Sequence, residues 1–167
     1  MVGTTGLSNE TLRGWPPRRP GTCLFYAPNH HWRRAHDGAR RRRRALPEAE
    51  VIEYHHCNKK DAPSGTAVRT ADHRGGPRPR VSEAPAARRD RRAAGARGAL
   101  IDGVPVHSVR SMGFVASQEV IFGSLGQTLT IRHDSWDRTS YMPGVLLGIR
   151  SVGERDGLIV GLESFMN

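Results

Sequence analysis

The chain has 167 residues, enough for one ordinary domain or for a small domain plus part of another. Its hydrophobic fraction is only 37%, and its formal net charge is +10 because 26 lysine and arginine residues outnumber 16 aspartate and glutamate residues. Two cysteines are too few for a disulfide framework, and the sequence contains no signal-peptide pattern and no apolar run of about 20 residues. These features exclude a disulfide-rich secreted protein and a helical membrane protein, so we expect a cytoplasmic protein.

The first 47 residues contain short ordered patterns separated by basic sequence. Residues 1–12 are typical of a strand end that turns into a helix. The segment 13–45 has neither helical nor strand periodicity outside a short island at 24–29, and it includes five consecutive arginines. We expect 30–47 to be disordered or to result from a shifted reading frame, since permitted codons read one base later encode an apolar, helix-like segment.

Residues 48–72 carry the most informative pattern in the chain. The run 50–55 predicts a strand, and the run 61–67 predicts a loop that caps a helix. The stretch 73–98 is rich in Arg, Ala, Pro and Gly without an apolar stripe, and it predicts a low-order insert.

The remainder, 99–167, predicts a folded unit. Alternating runs predict three strands of a β-meander, at 104–109, 118–122 and 127–133. A helix is predicted at 137–152, with Pro143 tolerated in its first turns, and a short closing strand at 158–162. The residues predicted to share one face of that helix are Tyr141, Val145, Ile149 and Val152.

Five residues between positions 53 and 67 could carry chemistry. His55 and His56 lie at a strand end, where one imidazole can donate a proton near neutral pH. Lys59 adds a positive charge, and the amides of Gly65 and Thr66 at a helix N-terminus can seat a carboxylate. The pattern indicates a site for a small anionic substrate that must be protonated.

Other interpretations of these residues remain open at this point. A His-His pair on a strand is more often structural or merely exposed, and a Pro-Ser-Gly sequence is more often only a helix cap. A zinc site formed by His55, His56 and Cys57 is disfavoured because adjacent residues rarely converge on one tetrahedral ion. We therefore expect no metal site.

The segment 53–67 resembles the signature of the dihydrodipicolinate reductase family. It reads Glu-Tyr-His-His-x-x-Lys-x-Asp-Ala-Pro-Ser-Gly-Thr-Ala. Other stretches agree with the family in the expected order, at 2–6, 27–29, 104–110, 126–129, 132–135 and 141–145. The resemblance covers more than half of the chain.

This resemblance implies an α/β protein with an α+β C-terminal domain built on a mixed sheet. That domain would bind substrate and mediate oligomerisation, and it would be joined to a remnant of a Rossmann-like dinucleotide-binding domain. The implied organisation is the dinucleotide-domain remnant at 1–29, the basic stretch at 30–47, the catalytic and oligomerisation domain at 48–152 with its insert at 73–98, and a segment returning to the dinucleotide domain at 153–167.

The resemblance also implies an activity and roles for residues. The reaction would be hydride transfer from NADH or NADPH to 4-hydroxy-tetrahydrodipicolinate with loss of water, on the diaminopimelate route to L-lysine, in a homotetramer that takes a small dicarboxylate. His55 would donate and accept a proton and Lys59 would be a second proton donor. The residues implied to hold substrate carboxylates are His56, Gly65 and Thr66, and those implied to contact the cofactor are Gly3, Thr4, Thr5, Ala27, Pro28 and Asn29.

The sequence departs from the family in the nucleotide-binding part. The glycine-rich Gly-x-x-Gly-x-x-Gly turn is absent, because the chain begins at what corresponds to the middle of that domain. We expect a truncated chain that binds a dicarboxylate weakly and does not oxidise NADH or NADPH by itself.

A basic nucleic-acid-binding protein that uses the arginine-rich stretches is the alternative. Aromatic residues that could stack on bases are nearly absent from those stretches, which argues against this function. Salt-dependent titration of DNA discriminates between the two hypotheses.

Overall fold

The computed structural model describes residues 10–11, 14, 23–26, 46–72 and 93–165. The chain divides into two compact units, one formed by 35–136 and the other by 1–34 together with 137–167. Low order was expected for 30–47 and for 73–98, of which 30–45 and 73–92 lie outside the described part; in the rest, Leu46 is buried and 94–97 form a turn. All six residues of the expected cofactor loops also lie outside it.

A five-stranded mixed sheet forms the unit of residues 35–136. Its strands are β2 (Glu48–His55), β3 (Ala99–Ile101), β4 (Val104–Arg110), β5 (Ala116–Ser124) and β6 (Gln127–Ser135), and its helix is α1 (Gly65–Ala71). The strand order is β3-β4-β2-β5-β6. The central strand β2 runs parallel to β4 and antiparallel to β5, so the expected mixed sheet is confirmed.

The predicted meander is only partly right. Strands β5 and β6 form the predicted antiparallel hairpin, but β4 does not pair with β5, because β2 lies between them. Instead β4 forms a hairpin with β3, closed by Asp102 and Gly103, which both have positive φ, at 46° and 84°. Alternation identifies strands along the chain, whereas lateral order depends on pairing between distant segments, which alternation does not report.

One face of the sheet changes from apolar to polar along β2. Val51 lies beside Val106 and Val120 in the register, and these side chains pack with Ala67 and Ala71 of α1 into a buried core. Two residues further along β2, a second row on this face contains Glu53, Ser108 and Gln118. Glu53 and Gln118 are buried and Ser108 is exposed, so this face ends in polar groups close to the C-terminus of β2.

The other unit contains a small parallel sheet of β1 (Cys23–Tyr26) and β7 (Gly157–Val160). A 3₁₀ turn at Arg138–Tyr141 leads into helix α2 (Met142–Ser151). Phe25 and Leu162 are buried together, and partly buried apolar side chains pack against them. No helix in the described ranges combines the length and apolar character needed to cross a bilayer.

The predicted buried face of α2 is partly wrong. Ile149 is 54% exposed, whereas Leu147 and Val152 pack against Phe25 and Leu162. The buried residues of α2 are Gly144 and Gly148, so the packed face lies one position before Val145 and Ile149. Pro143 lies in the first turn, as predicted.

Candidate functional site

The candidate site is built on the end of β2, where a carboxylate precedes an imidazole on the same face. Glu53 and His55 are two residues apart on a strand, so their side chains point in the same direction. Glu53 is completely buried, and the side chain of His55 is 13% exposed. An oxygen of Glu53 contacts Nδ1 of His55.

Each carboxylate oxygen of Glu53 contacts Arg110 and at least one other group. Arg110, at the end of β4, donates from Nη2 to Oε1 at 2.8 Å and from Nη1 to Oε2 at 2.9 Å. The backbone amide of Ser64 also donates to Oε1, at 3.2 Å, and His55 contacts Oε2. The carboxylate is thus held by residues from two strands and from the loop before α1.

These partners keep Glu53 ionised. Burial would raise the pKa of its carboxyl, but hydrogen bonds from His55, Arg110 and Ser108 outweigh burial and lower the pKa from 4.5 to about 2. An ionised carboxylate can only accept hydrogen bonds. Of the two ring nitrogens of His55, Nδ1 is therefore the one that faces an obligate acceptor.

Lys59 and Asp61 form an ion pair in the loop that follows β2. One oxygen of Asp61 accepts from the Lys59 ammonium, and the other accepts from the Gly65 amide at 3.3 Å. The hydrogen bond from Lys59 is the main reason that the pKa of Asp61 is lowered. The backbone carbonyl of Asp61 accepts from Arg110 Nη2 at 2.7 Å, which ties this loop to the carboxylate of Glu53.

The start of α1 is fixed by Ser64, as the sequence predicts for a capped helix. Its hydroxyl accepts from the Ala67 amide at 3.2 Å, and the residue is only 2% exposed. Further along the helix, the Thr70 hydroxyl donates to the carbonyl of Thr66 and accepts from Gln118 on β5. The N-terminal turn, which includes Gly65 and Thr66, is therefore anchored to two strands of the sheet.

One hydrogen-bonded network connects three of the five predicted residues of the substrate half. His55, Lys59 and Gly65 are joined through Glu53, Arg110 and Asp61, which we call the Glu53–Arg110 network. The other two predicted residues lie beside it. His56 follows β2 and its carbonyl accepts from the Lys59 amide at 3.0 Å, and Thr66 lies in the first turn of α1.

Sequence reasoning assigned no role to Glu53, Asp61 or Arg110. A signal for Glu53 was present, because a glutamate two residues after Val51 occupies a core-facing position of the strand, where an unpaired charge is costly. No comparable signal existed for Arg110, since its position beside Glu53 depends on β4 pairing with β2. Among the described residues, no group of three or more His, Cys, Asp or Glu side chains could hold a metal ion.

Comparison with known proteins identifies the family. Residues 34–166 match the family model described as dihydrodipicolinate reductase, C-terminus. A relative from Nocardia farcinica (strain IFM 10152), named 4-hydroxy-tetrahydrodipicolinate reductase, is 50% identical over 178 residues that cover 100% of this chain and 70% of the relative. A relative of the same name from Mycolicibacterium vanbaalenii is 48% identical over 182 residues, with the same coverage.

A solved structure agrees with this assignment. It is a dipicolinate-bound dihydrodipicolinate reductase from Paenisporosarcina sp. TG-14, which superimposes with a TM-score of 0.76 at 36% identity. The match covers 98% of this chain and 63% of that structure, so the chain spans less than two thirds of the solved protein. The chain belongs to the dihydrodipicolinate reductase family.

Proposed function

We propose that this chain carries the substrate-binding and proton-transferring part of a 4-hydroxy-tetrahydrodipicolinate reductase. The observation that supports this function is the Glu53–Arg110 network, which links an imidazole, an ammonium group and the start of a helix. The proposed reaction reduces 4-hydroxy-tetrahydrodipicolinate with loss of water to give tetrahydrodipicolinate, on the diaminopimelate route to L-lysine.

His55 and Lys59 have the properties that proton transfer to this substrate requires. Nδ1 of His55 is engaged by Glu53, so Nε2 is the ring atom that would give a proton to the substrate and recover it from solvent. Lys59 would supply a second proton, because its side chain is only 20% exposed and its ammonium can stay close to a bound anion. NADH or NADPH would supply the hydride.

The surroundings of Asp61 support a dicarboxylate as the substrate. Asp61 contacts the Lys59 ammonium and the Gly65 amide, so these groups are arranged to receive the two oxygens of a carboxylate. A substrate carboxylate would replace Asp61 at these donors, with His56 and Thr66 as additional contacts. The solved relative is a dipicolinate complex, and dipicolinate is itself a dicarboxylate.

The cofactor half of the proposal rests on the position of one loop. Ala27, Pro28 and Asn29 directly follow the carboxyl end of β1, which pairs in parallel with β7. Open α/β sheets bind dinucleotides at the carboxyl ends of parallel strands. These three residues, with Gly3, Thr4 and Thr5, would hold the nicotinamide half of the cofactor.

Two broader features of the family are also proposed for this chain. We expect a homotetramer, because the family resemblance implies a sheet-mediated assembly, and we expect the protein to act in the cytoplasm. Light scattering coupled to size exclusion of the purified chain tests the assembly. A monomer at micromolar concentration would contradict it.

Calorimetric titration with pyridine-2,6-dicarboxylate tests the substrate half. Lys59→Met should weaken binding about 10- to 100-fold, because a hydrogen bond to a charged group contributes about 1.5–3 kcal/mol. The adjacent Lys60 is exposed and serves as the matched control, so Lys60→Met should change affinity less than about twofold by the same arithmetic. Absence of binding, or equal losses in both variants, would contradict the proposal.

Reduction is tested in a chimera that adds the part of the Nocardia farcinica relative with which this chain does not align. Oxidation of NADH or NADPH should depend on 4-hydroxy-tetrahydrodipicolinate and should be abolished by His55→Gln. His107→Gln is the matched control, because His107 pairs with Glu50 outside the Glu53–Arg110 network. Equal activity in both variants would refute the role of His55.

A further inference from the structure

We infer that Glu53 and Arg110 are positioning residues that hold His55 in the tautomer with its neutral-state proton on Nδ1, so that Nε2 exchanges the proton with the substrate. The tautomer follows from the hydrogen bonds alone. The use of Nε2 in catalysis rests on the proposed function.

The first step of the argument concerns the direction of the hydrogen bond between His55 and Glu53. Glu53 is fully buried, and both of its oxygens face donors whose protons are fixed, namely the Arg110 guanidinium and the Ser64 amide. With these donors the carboxyl stays ionised and acts only as an acceptor. The His55 nitrogen that faces it is therefore a donor in both the neutral and the charged state of the ring.

The second step concerns the charge of the carboxylate. An unpaired carboxylate beside His55 would strongly favour the imidazolium and oppose release of its proton. Arg110 forms two parallel hydrogen bonds with Glu53, which neutralise that charge while leaving the acceptor oxygen in place. The imidazole is thus oriented by a carboxylate whose charge is balanced by Arg110.

The third step concerns the reach of Arg110. Its guanidinium also donates to the carbonyls of Val109 and Asp61, at 2.8 and 2.7 Å. It therefore joins the end of β4, the end of β2 and the loop that carries Lys59. A single side chain fixes both the histidine and the loop of the second proposed proton donor in one arrangement.

A second histidine in the same sheet provides an internal contrast. His107 on β4 contacts Glu50 through Nε2, at 2.9 Å, and both side chains are partly exposed. The two pairs thus engage opposite ring nitrogens. Glu50→Gln makes the same chemical change as Glu53→Gln on the same strand, so it is the matched control.

The test is a measurement of ¹⁵N chemical shifts of the histidine rings in the full chain, with the His55 signals assigned by their loss in His55→Gln. At a pH where the ring is neutral, His55 should carry its proton on Nδ1. In Glu53→Gln the amide oxygen should stay with Arg110 and Ser64, leaving the amide NH₂ to face His55. The ring should then change to the Nε2–H tautomer, whereas Glu50→Gln should leave it unchanged.

The inference is overturned if wild-type His55 carries its proton on Nε2, if Glu53→Gln leaves the tautomer unchanged, or if Glu50→Gln alters it as much. The wild-type measurement decides the question even when Glu53→Gln fails to fold.

In the active chimera, Glu53→Gln should lower kcat about 10²- to 10⁴-fold, the usual contribution of a correctly placed proton donor, with KM changed much less. A raised KM with an unchanged kcat would also overturn it.

Failure of the proposed function gives a different result. If the chain did not bind pyridine-2,6-dicarboxylate, that function would fail while the ring tautomer could still be measured. If dicarboxylate binding persisted and His55 showed the opposite tautomer, only the role of Glu53 and Arg110 would be refuted.

Discussion

A fully buried carboxylate usually destabilises a protein, and Glu53 is compatible with the fold because each of its oxygens accepts more than one hydrogen bond. If one of these hydrogen-bonding partners is removed, the remaining partners no longer balance the buried negative charge of Glu53. The residue therefore contributes to stability only while it remains ionised, which makes its contribution dependent on pH.

Acid unfolding should report this dependence. The pKa of Glu53 is about 2 in the folded chain, compared with 4.5 as its ordinary value, so its contribution is fully present above about pH 4.5 and is lost as the pH falls toward 2. The difference corresponds to about 3 kcal/mol in the free energy of unfolding. Denaturant unfolding between pH 6 and 2 measures it.

Glu53→Gln is the corresponding test variant, because it cannot titrate. The fall in unfolding free energy between pH 4.5 and 2 should be smaller in this variant than in the wild-type chain. Glu50→Gln, on the same strand but partly exposed, should retain the wild-type pH dependence. Parallel pH curves for wild type and Glu53→Gln would contradict the assignment.

At the scale of elements, the cap of α1 is a local feature with a measurable contribution. Ser64→Ala removes the hydroxyl that accepts from the Ala67 amide, so the free energy of unfolding should fall by about 1 kcal/mol. Ser151 precedes a 3₁₀ turn without a side-chain cap, and Ser151→Ala should change stability by less than about 0.5 kcal/mol. Equal effects in chemical denaturation would show that the cap contributes nothing.

The turn before β3 offers a second matched pair of variants. Gly95 and Gly98 both have positive φ, at 78° and 70°, so alanine is strained at each. A Cβ at Gly98 would lie 2.5 Å from the Val106 carbonyl oxygen, whereas one at Gly95 would meet nothing within 4 Å.

Gly98→Ala should therefore destabilise the chain by about 1–3 kcal/mol more than Gly95→Ala, which is the range for overpacking at a rigid site. Thermal and denaturant unfolding of the two variants measure this difference. If both variants lose the same stability, then β3 and β4 shift at no cost to accommodate the new Cβ at Gly98. The loss would then reflect only the strained φ at each glycine.

Strands β2, β4, β5, β6 and β7 were predicted from the sequence, whereas β1, β3 and the lateral order of the strands were not. Alternation in β2, β5 and β6 reflects which side chains are buried, and that pattern can be read along the chain. The insertion of β2 between β4 and β5 depends on hydrogen bonds between segments more than fifty residues apart. The role of Arg110 was missed for the same reason, since it reaches Glu53 only through this pairing.

The candidate site was predicted in outline because its residues are close in sequence. His55, Lys59 and Gly65 lie within eleven positions, and a strand end followed by a capped helix brings such residues together. The hydrogen bonds to Asp61 were not predicted, because the geometry of the loop 56–64 does not follow from composition. The assignment of site roles stays a prediction until the variants are measured.

At the scale of the whole molecule, the charge of +10 still predicts some attraction to nucleic acid. The comparisons support the reductase and give no support to a nucleic-acid-binding function.

The proposed domain boundaries, including the basic stretch at 30–47 and the insert at 73–98, remain predictions. The shifted-reading-frame hypothesis for the basic stretch also remains, and sequencing of the DNA tests it.

The salt dependence of binding distinguishes non-specific attraction to nucleic acid from binding of a substrate-like dicarboxylate. Binding of a labelled DNA duplex should fall about 10³-fold or more between 50 and 200 mM salt, as expected for contacts to several phosphates. Binding of pyridine-2,6-dicarboxylate should persist over this range, because its donors are partly buried. Sequence-specific DNA binding that survives 200 mM salt would revive the alternative function.

The central position of β2 also determines when the site can exist during synthesis. The ribosome makes His55 and Lys59 before either neighbour of β2, since β4 begins only at Val104 and β5 at Ala116. The nascent chain therefore exposes Glu53 and both edges of its strand until residues 104–124 have emerged. The Glu53–Arg110 network therefore forms late, when Arg110 reaches a carboxylate that was hydrated until then.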